Sequence, residues 1–180
     1  MADEVADPRS GQRVVFRRID ADVLELDLYV SKGAFVREHI HPTQEETLAG
    51  VAGTFYQTVE GKTHAIGPGD SITIPPNTPH NYDPAPEDCQ LLVTVSPALD
   101  LDRFFRAFLG LSRDGLLTIP ERGNPKPLLT FAALMYRYRR EMAAPRIPLW
   151  LQRPGLGALT LLGRLLGRRT SWPEYGSYES

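Results

Sequence analysis

Cysteine is almost missing from this chain: its 180 residues contain one, Cys89. A single thiol excludes an intramolecular disulfide framework and any multi-cysteine zinc finger, and it fits a reducing compartment. Long apolar runs are missing too. No stretch reaches the roughly 18 residues of a membrane-spanning helix; the longest, Gly155 to Gly167, is 13 residues and contains Arg164. Residues Met1 to Asp7 are acidic and polar. They lack the basic start and apolar run of a signal peptide, so a cytoplasmic location is expected. No helix-turn-helix pattern or basic–aromatic interleaving stands out, which argues against nucleic acid as a partner.

Apolar residues make up 42% and charged residues 23%, enough to bury a core in one domain with a short extension. The net charge of −2 is unevenly spread: residues 1–97 carry −8 and residues 98–180 carry +6. A basic second half can serve nucleic acid, an anionic membrane surface or the acidic half of its own chain. The last is preferred, because a small protein sets its two halves side by side.

Residues 1–11 read as a loose tail. From residue 12 to 97 the text is short, near-alternating runs separated by turn signals: Val14–Ile19, Val23–Val30, Ala34–His41, Thr47–Ala52, Thr54–Val59, Lys62–Ile66, Ser71–Ile74, His80–Tyr82 and Gln90–Ser96. Such strands predict a mainly β, antiparallel sandwich or barrel. After Pro97 the period changes. Leu101, Phe104, Phe105, Phe108 and Leu109 predict an amphipathic helix, with Asp100 or Asp102 as its cap. A Pro- and Gly-rich link from Ile119 to Pro127 leads to a second helix, about Leu128 to Met142. A third apolar segment, Leu149 to Leu166, contains Pro154 and several glycines, which predicts two short helices. Residues 98–180 thus form a helical extension, packed on the barrel or on a dimer partner.

His39 and His41, at i and i+2 of one run, project from the same face of a strand. Glu46 opens the next run and His80 a later one. Three imidazoles and a carboxylate converging inside a barrel make a site for one divalent metal ion. Glu45 is the alternative carboxylate. His64 lies outside this pattern and reads as a surface or packed residue, and Cys89, in an acidic stretch, reads as structural.

These residues resemble the cupin superfamily. Gly33, His39, His41, Glu46 and Gly53 meet its first motif, G(X)5HXH(X)3–4E(X)6G, and Gly69, Pro75 and His80 meet most of its second, G(X)5PXG(X)2H(X)3N. Asn77 stands at the second motif's turn glycine and Pro84 at its final Asn. The resemblance implies a cupin jelly-roll barrel with a 3-His-1-Glu ion of iron, manganese, nickel, zinc or copper, two of whose positions stay open. It implies a metal-dependent oxygenase or dioxygenase, or an isomerase or cyclase, acting on a small oxygenated organic substrate. A non-catalytic small-molecule-binding or sensing cupin is the alternative. The text after Pro97 resembles that of single-domain bacterial cupins with helical tails.

Alternation extends the candidate substrate pocket. Phe35 and Arg37 should share the face of His39, and Leu48, Gly50 and Ala52 that of Glu46, with small residues leaving room above the ion. Phe55 and Gln57 belong to the inner face of the next run, and Tyr82 follows His80 on the same side. Arg37 would clamp a substrate carboxylate or enolate, or sit on the rim if a bulge flips the register. Gln57 would bond the substrate, orient a ligand or simply pack. Related cupins often dimerise through exposed edge strands. A basic amphipathic helix can also lie on a membrane surface, but the preferred reading is that the Leu/Arg-rich stripe covers its own sheet or a dimer partner.

Overall fold

The computed structural model describes residues 3–117 and 126–176. Among these residues ten strands form two antiparallel sheets. In chain order they are β1 (Glu4–Asp7), β2 (Gln12–Ile19), β3 (Leu24–Val30), β4 (Val36–His39), β5 (Glu45–Ala52), β6 (Phe55–Val59), β7 (Lys62–Ile66), β8 (Ser71–Ile74), β9 (His80–Tyr82) and β10 (Cys89–Ser96). The larger sheet runs β1-β2-β3-β10-β5-β8 and the smaller β4-β9-β6-β7. Period-two patterning places the core between them. Leu24, Leu26, Leu28 and Val30 of β3 are buried beside Leu91, Val93 and Val95 of β10. The mainly β, jelly-roll expectation is met.

The start of the chain is better ordered than a loose tail. Residues 4–7 pair with β2, and the carboxylate of Asp7, fully buried, accepts the backbone N–H groups of Arg9 and Ser10 to close the turn. Asp3 receives two hydrogen bonds from Arg106 at 2.8 and 2.7 Å.

Among the described residues three α-helices follow the barrel: α1 (Leu101–Arg113), α2 (Lys126–Arg137) and α3 (Leu149–Leu165). Helix α1 lies on β1 and β2 and buries Leu101, Phe104, Ala107, Leu109 and Leu111. Asp100 precedes it, but its carboxylate takes Arg103 at 3.0 Å and makes no capping bond. Most of the link between α1 and α2 lies outside the described residues.

Helix α3 is one continuous helix. Pro154 removes only the bond its own N–H would have made to the carbonyl four residues back, near the amino end, and the helix runs on. The tertiary contacts of α3 are chiefly with α2, with small residues between the two: a Cβ on Gly157 would lie 3.0 Å from the Tyr136 ring, and Gly163 faces Leu129. The leucine stripe of α3 therefore does not cover the sheet.

Candidate metal centre

Strand β9 pairs with β4 so that His80 stands opposite His39, and β5 brings Glu46 opposite Ile74. The backbone N–H and C=O of Ile40 bond those of Ala143 at 3.0 Å each, in the segment after α2, and this bridge holds the chain on which His41 follows. The His39 and His80 rings are 4.2 Å apart, and His41 lies 5.2 Å from His39 and 5.3 Å from His80. One nitrogen from each ring falls within 4.8 Å of the others.

Each imidazole is oriented by a backbone carbonyl. The Nδ1–H of His39 donates to Arg37 O at 2.9 Å, that of His41 to Glu141 O at 2.6 Å and that of His80 to Thr78 O at 2.8 Å. This tautomer leaves every Nε2 lone pair free to ligate. Glu46 Oε2 sits 3.2 Å from His80 Nε2 and 3.9 Å from His41 Nε2. Despite that proximity, His80 Nε2 has no hydrogen-bond partner. Two lone pairs face one another there, and a proton or a cation must lie between them. Three neutral imidazoles and one carboxylate therefore fit a divalent ion.

The electrostatics favour the neutral form for His39 and His41. Burial, then the neighbouring His80 and His41, push His39 down to about 3. Burial also depresses His41. For His80 burial pulls downward, but the adjacent Glu46 carboxylate outweighs it and the net shift is upward. Burial would raise Glu46, yet the His80 contact and the surrounding imidazoles hold it down at about 2.

The turns that carry the strands into the site follow from local chemistry. Gly53 has φ +70°, and a Cβ there would lie 2.5 Å from Asp88 O. Asn77 takes the left-handed conformation, φ 61°, where glycine is usual, and its N–H donates to His41 O at 2.7 Å. Asn77→Ala should therefore cost about 1 kcal/mol of stability, whereas Asn77→Gly should change it little. Chemical denaturation of both variants checks the difference.

The pocket candidates do not all converge. A bulge lies between Val36 and His39 in the pairing of β4 with β9. It turns Val36 toward the core and leaves Phe35, 53% exposed, and Arg37 at the surface. This corrects the strict alternation that placed Phe35 and Arg37 beside His39. Gly50 provides no room above the site either. A Cβ there would come within 2.1 Å of Gly67 O, so its missing side chain admits the turn before β8. Leu48 and Phe55 are buried members of the core, Phe55 with its ring 5.0 Å from that of Tyr82.

Gln57 is buried on β6, opposite Tyr82 in register. The Tyr82 hydroxyl is buried without a partner, and burial, with the nearby Cys89 and Glu46, pushes its pKa upward. His64 is exposed on β7. Cys89 is buried, its thiol raised to about 11 by burial and by Glu87 and Asp88, in keeping with a structural role.

Sequence reasoning missed Glu141. Its carbonyl orients His41 from 100 residues away, its side chain is buried, and its Oε1 accepts the N–H of Asp100 at 3.3 Å. Nothing in the local text announces this, since the acceptor is a backbone atom.

A double-sheet β-barrel with inward histidines from neighbouring strands defines the class. Residues 28–95 match the cupin domain model, and this stretch of the β-barrel is similar to a cupin domain. Among solved structures, an RmlC-like cupin from Shewanella frigidimarina NCIMB 400 is 25% identical, with a TM-score of 0.50, over 53% of this chain and 85% of its own. KdgF from Halomonas sp. is 23% identical, with a TM-score of 0.50, over 53% of this chain and 87% of its own. No curated protein matches the chain.

Proposed function

We propose that the barrel binds one divalent metal ion through His39, His41, His80 and Glu46. With it the protein would act on a small oxygenated organic molecule, as an oxygenase of the dioxygenase type or as an isomerase or cyclase. The supporting observation is the shared tautomer. All three Nδ1–H groups are committed to carbonyls, and a buried carboxylate faces the free side of His80 at 3.2 Å. Among the described residues these three histidines are the cluster suited to hold an ion.

When bound, the ion supplies Lewis acidity and, if redox-active, oxygen activation. The chain's own groups set the surroundings. Glu46 stays ionised, offsetting cationic charge inside the barrel. Tyr82 stays protonated, and its unpartnered hydroxyl offers a hydrogen bond to a substrate oxygen. Gln57, buried beside it, adds an amide to the same wall. Arg37, exposed, is not required. A cytoplasmic location belongs to the same proposal, as does a second copy joined through an open sheet edge. Strand β7, whose residues 62–65 are exposed, is such an edge.

The test is elemental analysis of protein purified after growth in mixed trace metals. About one ion of iron, manganese, nickel, zinc or copper per chain is expected. Protein that takes up none of the five, even on titration, would overturn the proposal.

A further inference from the structure

The solvent side of α3 is apolar from end to end. Its exposed residues include Trp150 (76%), Leu151, Leu161, Leu162 and Leu165 (77%), joined by Pro154 and Ala158. At 100° per residue these occupy one continuous face. Its polar residues Gln152, Arg153, Thr160 and Arg164 fall outside that face, and the side against α2 is built from Gly157, Thr160 and Gly163. The pattern is the reverse of a helix that packs its leucines on its own protein.

Charge is distributed with equal bias. Residues 142–173 contain five arginines and no carboxylate. Between α2 and α3 runs a groove of about 340 Å³ lined by Arg137, Arg139 and Arg164 with Thr160 and Thr170. Two of the three arginines use some of their donors locally: Arg139 bonds Tyr136 O and Arg164 bonds Thr170 Oγ1. Among the described residues no acidic side chain lines the groove. An arginine groove of this kind suits phosphate oxygens.

We propose that α3 lies flat in the headgroup layer of an anionic phospholipid bilayer, with its leucine face toward the acyl chains. The arginines of the α2–α3 groove would hold lipid phosphates. No helix among the described residues is long and apolar enough to cross a membrane, so the contact is peripheral. Trp150, at the start of α3, stands where an aromatic ring settles at the boundary between headgroups and acyl chains. A second copy of the chain fits this surface less well. A two-fold contact sets the same patch against itself, and here that brings arginine edges together. The inference is independent of the metal chemistry.

Flotation of the full-length protein with vesicles tests it, using phosphatidylcholine alone and phosphatidylcholine mixed with phosphatidylglycerol. Binding to the mixed vesicles is expected, weakening as salt rises, with little binding to the neutral ones. The emission of Trp150 should shift to the blue on binding, a shift that Trp150→Phe removes. Leu161→Glu with Leu165→Glu alters only exposed side chains and should reduce binding on the order of tenfold or more. Arg137→Gln should reduce it about fivefold. Far-ultraviolet dichroism of each variant confirms that the helices persist. Three results would overturn the proposal: no binding to anionic vesicles, equal binding to neutral ones, or wild-type binding by the double leucine variant. A dimer in sedimentation that the double variant splits, without vesicle binding, would assign the face to self-association.

Discussion

His80→Ala is expected to leave the protein folded and without metal. Four ligands share on the order of 10–16 kcal/mol when such residues bind a divalent ion, so one ligand is worth about 3 kcal/mol, roughly a hundredfold in affinity or more. The loss should exceed that of a single contact. Glu46 faces His80 at 3.2 Å inside the barrel, and without the imidazole its carboxylate is buried with one partner fewer. Competition against a chromogenic chelator measures the affinity, and elemental analysis the stoichiometry. His64→Ala is the control, because that ring is exposed on β7 and outside the cluster. Retention of one ion per chain by the His80 variant would remove His80 from the ligand set.

The local part of this site was legible because its determinants are local. His39, His41, Glu46 and His80 fall within a short span, and strand alternation and turn chemistry place such residues without reference to distant chain. Asn77 illustrates the point: it stands where a left-handed residue is needed, and it adopts φ 61°. Legibility failed where geometry departed from period two. The bulge between Val36 and His39 inserts one residue, which exposes Phe35 and Arg37, and no side chain in that run signals it. Gly50 was open to the opposite reading, since a glycine that makes room for ligand and one that makes room for backbone look alike in sequence.

The second half of the chain was legible as helix but not as packing. The period of residues 101–109 identifies α1 correctly, and its apolar face meets the barrel. In α3 the same rule misleads. A leucine stripe on a helix is normally a buried stripe, yet glycines and Thr160 occupy the side against α2 and the leucines face outward. Pro154, read as a helix breaker, sits close enough to the amino end that the lost bond is tolerated.

Ala143→Pro should weaken metal binding about 10–100-fold, although residue 143 touches no ligand directly. The N–H of Ala143 donates to Ile40 O at 3.0 Å, and Ile40 N–H donates to Ala143 O in return. This bridge sets the segment that carries the Glu141 carbonyl, 2.6 Å from His41 Nδ1. Proline removes the donor and loosens the bridge, so the carbonyl drifts from the ring. His41 then loses both its fixed tautomer and its aim into the site. Side-chain truncation at Glu141 cannot make this test, because the acceptor is its backbone oxygen. The expected signature is lower affinity at unchanged stoichiometry, with helical and strand signals retained in far-ultraviolet dichroism. Unchanged affinity would mean that His41 is held by the barrel alone, and the helical extension would have no part in the metal centre. A loss of the predicted size would make residues 138–143 the physical link by which events at the helices, including contact with a surface, reach the ion.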